Sequence, residues 1–315
     1  MNAAIDTRRD QPSGQAVSAC PACGGIAATQ VGAVVPGYST FVGGKSFSHP
    51  PYCIKSCPEC GLYFKSNTMG LEELPDYYAR LGGDSFEHDE NFPTDAILRA
   101  ILASLPDGAK VLDFGCSSGR IHEGSARRLQ TYGVEINAEA AELARRRGIT
   151  IITEEQATGG AFGPFDLVVT ADVYEHLAHP AQTLEGLAAA LGAGGRLAIV
   201  TGNGDAVRTR DWMGEFWYFR PEGHFHMMSE RHVQWLARRL AMQVEQLHEC
   251  CHYDLPMTAR LRQRVQSFAY GEFKRASSLS SVLHFVPLLN RAANWPLAPA
   301  LTCTADHFVV VLRKS

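Results

Sequence analysis

Two C-x-x-C pairs, Cys20 with Cys23 in CPACG and Cys57 with Cys60 in CPECG, supply four thiols on two tight turns. Each pair is followed by glycine, which eases the turn that points backbone amides at thiolates. Four thiolates suit a tetrahedral zinc ion, and a closed four-cysteine site is structural rather than catalytic. The long loop between the pairs is tolerable, because closure cost grows slowly with length. A redox C-x-x-C belongs near a thioredoxin-like βαβ pattern, which this sequence lacks. Cys53 remains a spare candidate ligand, although PYCIKSC lacks the pair spacing. Cys116, Cys250, Cys251 and Cys303 read as packed thiols.

A second constellation lies in VLDFGCSSGR, where an apolar run ends at Asp113 and a turn of small residues, Gly115 to Gly119, follows. Such a turn lets backbone approach a ligand closely. The next apolar run, TYGVEI, ends in Glu135, an acidic residue placed to accept hydrogen bonds from ribose hydroxyls. The turn lacks the full G-x-G-x-x-G and has no G-K-[ST], which weakens nicotinamide and P-loop readings.

These residues need elements to hold them. From Ala109 the sequence alternates: AKVLDF as strand, RIHEGSARRLQ as helix, TYGVEI as strand, AEAAELARRRG as helix, ITIIT and FDLVVTAD as strands. AQTLEGLAAALGAGG then reads as a helix stopped by glycine, and RLAIVTGN as a strand. This rhythm implies a parallel sheet with helices on both faces. TDAILRAILASL reads as a preceding helix capped by Thr94 or Asp95, and HFVVVLRK as a final edge strand. The resulting division is a disordered tail at 1–17, a zinc ribbon at 18–75, a linker at 76–94 and an α/β domain at 95–315. A helical insert is expected over 250–300, within a mostly helical stretch from Ser229 to Thr304.

VLDFGCSSG, YGVEI, FDLVVTADVYEHL and GGRLAIVTGN together resemble successive motifs of class I S-adenosylmethionine-dependent methyltransferases, over residues 95–205. The resemblance implies a Rossmann-like doubly wound sheet and S-adenosylmethionine as cofactor. It assigns Asp113 and the backbone of Gly115, Cys116, Ser117 and Gly119 to the cofactor's amino-acid part, Glu135 to its ribose and Ile136 to its adenine. Asp172 and the following turn would face its methionine portion. Ser117 departs from the family's usual glycine. A four-cysteine ribbon before this fold resembles sugar C-methyltransferases acting on nucleotide-linked deoxysugars, whose extra C-terminal domain is missing here. An rRNA guanine methyltransferase family also carries such a ribbon, with tighter cysteine spacing and a more basic domain.

Acceptor chemistry should lie after the fourth and fifth strands. Tyr174, Glu175 and His176 follow one, and DWMGEFWYFRPEGHFHMMS follows the other with His224 and His226 alternating about Phe225, as in a short extended piece with both imidazoles on one face. His176, His224 and His226 are the candidate bases. Trp212, Trp217 and Tyr218 read first as core or lid packing. A net charge of −4 lacks the basic excess of nucleic-acid binders, which argues against a nucleic-acid partner. The N-terminus has no apolar signal core and no run is long enough to span a membrane, so a cytoplasmic protein is expected. The expected partner is a small-molecule acceptor, with a nucleotide sugar, a glycan and a secondary-metabolite precursor as the candidates. An RNA or protein methyltransferase docking through the ribbon, and a non-catalytic binding protein of the same fold, stay open, as does the oligomeric state.

Overall fold

The computed structural model describes residues 14–82, 92–125, 127–207 and 211–315. Residues 1–13 of the tail expected over 1–17, and residues 83–91 of the linker expected over 76–94, lie outside the described residues.

The N-terminal module is built from short strands: β1 (Gly14–Ala16), β2 (Thr29–Val35), β3 (Tyr38–Val42), β4 (Lys45–His49), β5 (Tyr52–Ser56), β6 (Tyr63–Lys65) and β7 (Asn67–Met69). β1 pairs with β7, so residues 14–16, expected in the tail, belong to the ribbon. β3 and β4 form a hairpin, and β2, β5 and β6 an antiparallel sheet. The linker reading also changes, because Leu74–Ala79 forms a helix, α1, started by Pro75.

Helix α2 (Pro93–Ala103) opens the α/β domain. Its N-cap is Phe92 with Pro93 at the first turn, not Thr94 or Asp95 as expected. Asp95 instead accepts two hydrogen bonds from the Arg120 guanidinium, at 2.8 and 3.1 Å. Next come β8 (Lys110–Phe114), β9 (Gln130–Val134), α3 (Ala138–Arg146), β10 (Thr150–Ile151), α4 (Glu154–Thr158), β11 (Phe165–Ala171), α5 (Pro180–Ala189) and β12 (Leu191–Gly202). Then β13 (His226–Met227), α6 (Glu230–Arg239), β14 (Met242–Cys250), α7 (Met257–Lys274), α8 (Ser278–Leu283), α9 (Pro287–Asn290) and β15 (His307–Lys314) complete the fold.

The central sheet runs β10-β9-β8-β11-β12-β15-β14. Strands β8 to β12 pair in parallel, while β15 runs antiparallel to both its neighbours. This is a Rossmann-like α/β sheet. Leu167–Val169 of β11 and Phe308–Leu312 of β15 read as unbroken apolar runs because both faces are covered there. The edge reading of β15 is therefore corrected: it sits inside the sheet, and β14 is the edge.

Among the described residues RIHEGSARRLQ does not form the expected helix; Arg120–His122 makes a 3-10 turn. Gly124 takes a left-handed φ of 84°, which breaks the helical path. Arg128 reaches across to the carbonyls of Leu102 (2.7 Å) and Leu105, capping the C-terminal end of α2.

The ribbon and the α/β domain share one core. Cys20, Cys57, Cys60, Leu62 and Phe64 pack in the same buried cluster as Tyr174, Met228, Val233 and the sheet residues Ile199 and Val310. β13, from the segment after β12, adds to the ribbon sheet by pairing with β6.

Candidate active site

The chain leaves β8 toward β9 and β10 on one side, then crosses to β11 on the other. Ligands bind outside the carboxyl ends of strands at such a switch point. A cavity of about 740 Å³ opens there. Asp113 through Ser117, Val134 through Ile136 and Ala171 through Val173 line it from the ends of β8, β9 and β11.

The turn after β8 is held by its glycines. Gly115 has φ 81°, and a Cβ there would meet Val173 Cγ2 at 2.4 Å. Gly119 has φ 77° and is closed off by Ile149 in the same way. Ser117 also takes a left-handed φ, 48°, the conformation that makes glycine the easier residue at that place. Its amide donates to Glu135 Oε2 at 2.9 Å, and the Asn137 amide donates to Oε1 at 2.7 Å. Burial raises the Glu135 carboxyl above its ordinary value, partly offset by these amides. Asp113 Oδ2 meets His122 Nε2 at 2.9 Å, while Oδ1 is buried without a partner among the described residues. Ile136 stands 64% exposed beside the cavity, an apolar face fit for a flat base. The cradle, the orphaned carboxylate oxygen and this open apolar side chain suit an adenosyl amino acid. Gly119 does not line the cavity; it shapes the turn.

The opposite wall comes from the segments after β11, β12 and β14, from α1 and from the N-cap of α2. His176, Trp217, Tyr218, His224, His252, Tyr253, Phe92 and Tyr78 line it. Glu175 is fully buried, and Tyr218 Oη and Thr201 Oγ1 donate to it at 2.5 and 2.8 Å. His176 Nδ1 lies 2.5 Å from Tyr78 Oη and 2.9 Å from Gly223 O. His224 Nδ1 lies 2.7 Å from the Tyr218 carbonyl, which only accepts, so this nitrogen carries the proton and Nε2 carries the lone pair. Burial lowers His176 to about 4 and His224 well below its ordinary value, so both are neutral at pH 7.

His226 is not brought to this cavity. It lines a smaller one of about 360 Å³ under the ribbon, and its Nε2 donates to Leu177 O at 2.6 Å. The shared face expected for the HFH alternation is therefore corrected. Trp212 is buried away from the cavity, whereas Trp217 and Tyr218 line it. Tyr78, His252, Tyr253 and His307 were missed. They sit far apart in sequence, and only the packing of the ribbon and of β14 and β15 brings them here.

The four paired cysteines converge. Cys20 and Cys60 sulfurs are 3.5 Å apart, as are those of Cys23 and Cys57, and all four lie within 4.8 Å of one another. Thiolates about 2.3 Å from a tetrahedral zinc are separated by about 3.8 Å, so the set fits that ion. Cys53 is not part of this group. Contact with the Cys60 thiol lowers Cys20 to about 6. The cluster is tied to the active-site turn: His232 Nδ1 lies 3.1 Å from Cys60 O, and its Nε2 lies 2.6 Å from Tyr174 Oη.

The ribbon also buries Lys65, 4% exposed, whose Nζ donates to Pro221 O at 3.1 Å. Burial lowers this ammonium to about 7, against an upward pull from Glu222. An unfolded lysine titrates near 10.4, so between pH 7 and 10 the unfolded chain keeps a proton that the folded chain has lost. Stability from this residue therefore rises with pH across that window. The unfolding free energy of wild type relative to Lys65→Met should climb by on the order of 4 kcal/mol from pH 7 to 10, read from urea melts. A difference independent of pH would refute this.

A family model described as a methyltransferase domain matches residues 86–247, half of the chain. The chain belongs to this family, and its α/β domain is a class I S-adenosylmethionine-dependent methyltransferase domain. The ubiquinone biosynthesis O-methyltransferase of Caulobacter sp. (strain K31) is 35% identical over 106 residues, covering 31% of this chain and 42% of the relative. That of Xanthomonas axonopodis pv. citri (strain 306) is 29% identical over 154 residues, 44% of this chain and 64% of the relative. The match thus spans less than half of the Caulobacter protein. Among solved structures, the complex between the Haloferax volcanii Trm112 methyltransferase activator and a methyltransferase is similar in fold. The TM-score is 0.50 at 15% identity, over 77% of this chain and 96% of that one.

Proposed function

We propose that this protein transfers a methyl group from S-adenosylmethionine to an oxygen of a small, planar, hydroxylated ring. The observation that carries this is one cavity whose floor is the Asp113–Glu135 cradle and whose wall is aromatic. In this reading Asp113, Gly115, Cys116, Ser117, Glu135 and Ile136 hold the cofactor, with Gly119 fixing the turn. Trp217, Tyr218, Tyr253, Tyr78 and Phe92 offer ring faces and edges on which a flat acceptor stacks. Arg120 is the one Lys or Arg among the described lining residues, and it is already paired with Asp95. Asp113, Glu135, Glu154 and Asp172 line the same cavity. That charge balance disfavours a nucleotide sugar's phosphates and RNA. The relatives' naming as O-methyltransferases points the same way.

When bound, S-adenosylmethionine supplies an electrophilic methyl on a sulfonium that departs as a neutral thioether. The aromatic wall orients the acceptor hydroxyl in line with it and excludes water. His224 Nε2 would take the proton that the acceptor hydroxyl gives up on methylation. His176, held by Tyr78 and Gly223, positions the turn beneath. We infer further that Cys20, Cys23, Cys57 and Cys60 hold a structural zinc, with the ribbon serving as scaffold for the cavity wall rather than as a docking arm.

The test is transfer of a labelled methyl to three acceptor sets: catechol-type phenols, sugar nucleotides and total RNA. Labelling of phenols is expected, and labelling confined to RNA would overturn the reading. His224→Asn should lower kcat by about 10²- to 10⁴-fold with cofactor affinity unchanged; an unaltered kcat would remove His224 from the proton's path.

A further inference from the structure

The cavity wall holds a group of side chains for which proton removal by His224 has no use. Asp172 stands at the end of β11, His252 follows β14 and His307 opens β15. His252 Nδ1 and His307 Nε2 lie 3.0 Å apart, and Asp172 Oδ1 lies 3.8 Å from His307 Nε2. All three atoms fall within 4.8 Å of one another. Two nitrogens at that separation fit adjacent positions about 2.1 Å from one ion, at a right angle. Two imidazoles and one carboxylate on one side of a point leave the other side open. That is the donor set of borderline divalent transition metals with exchangeable positions.

The surroundings match. A histidine that ligates through one nitrogen usually has a carboxylate beside its other ring nitrogen. Asp306 Oδ1 lies 3.3 Å from His307 Nδ1, without hydrogen-bond geometry, and both residues are fully buried. Asp306 is itself fixed by Trp217 Nε1 at 3.1 Å and by the His252 amide at 2.8 Å. Asp172 Oδ1 is buried and accepts no hydrogen bond among the described residues. Asp172 is also held at a left-handed φ of 52°, a costly conformation for a non-glycine residue. Asp172 and His252 line the cavity, which puts the open side where an acceptor sits.

We propose that Asp172, His252 and His307 form a divalent-cation site opening on the methyl-transfer cavity, whose remaining positions take an acceptor bearing adjacent oxygens. The site stands on its own geometry; only its role toward the acceptor rests on the function proposed above. It also gives Asp172 a partner other than the cofactor's methionine portion.

The experiment is Mn²⁺ binding to the full chain purified with its cysteine cluster metal-loaded, followed by the electron paramagnetic resonance of free ion. Manganese is chosen because thiolates compete for it poorly. About one Mn²⁺ per chain is expected, weakened at least tenfold by His252→Ala and by Asp172→Asn and unchanged by His224→Asn. His252 is only half-buried, so its alanine variant should fold, and circular dichroism checks this. Absence of Mn²⁺ binding, or binding indifferent to His252→Ala, would overturn the site and leave the 3.0 Å contact as an imidazole–imidazole hydrogen bond. Calorimetry with S-adenosylmethionine on the same samples separates the two claims. Cofactor binding without Mn²⁺ sinks the cation site alone. Mn²⁺ binding without cofactor binding sinks the function proposed above and keeps the site.

Discussion

Glu135→Ala should weaken S-adenosylmethionine binding by about 10- to 100-fold in calorimetry, the range set by losing a hydrogen bond to a charged group. The carboxylate is already oriented by the Ser117 and Asn137 amides, so no reordering is needed when ribose hydroxyls arrive. Glu135→Gln keeps the shape and should fall between wild type and alanine. Asp113→Ala should match Glu135→Ala, because Asp113 lines the cavity and its buried Oδ1 has no hydrogen-bond partner among the described residues. Affinity unchanged in both alanine variants would move the cofactor to another site.

If the four cysteines hold the zinc proposed above, Cys60→Ser, or removal of that ion by a strong chelator, should lower Tm by about 10 °C or more and abolish methyl transfer in parallel. A structural metal site contributes folding energy directly. Here the loss also propagates: Cys60 O receives His232 Nδ1–H, and His232 Nε2 receives the Tyr174 hydroxyl. Tyr174 precedes Glu175, which anchors Tyr218 at the cavity wall. His232 is lowered to about 3 by burial, so it stays neutral and this two-ended link persists across the working pH range. Cys53→Ser, outside the cluster, should leave both readouts intact. Metal removal with no change in Tm or activity would contradict the scaffold role.

The parallel half of the sheet was legible because its strands are buried on both faces and end in distinctive turns, as in VLDFGCSSG and FDLVVTAD. The cysteine pairs were legible for a similar reason, since their chemistry is local. What escaped depended on longer range. β14 went unread because its alternation is interrupted by a bulge between Val244 and Gln246. β15 carried the signal of a strand buried on both faces, and only its place near the end of the sequence suggested an edge. The failed helix after Gly119 turned on Gly124 and on Arg128, whose guanidinium serves α2 instead. His252 and His307 carry no motif, and become a pair only because β14 and β15 are neighbours.

The placement of β15 between β12 and β14 has a consequence for biosynthesis. Both flanking strands are made before the strand that separates them. Until residues 307–314 leave the ribosome, the nascent chain exposes two unpaired strand edges, one of them the deeply apolar β12. The late strand must then insert between its neighbours rather than add outside them, a slow non-local step for a chain of this size. The Asp172–His252–His307 cluster cannot assemble before that insertion, so completion of the sheet and completion of the cavity wall are one event.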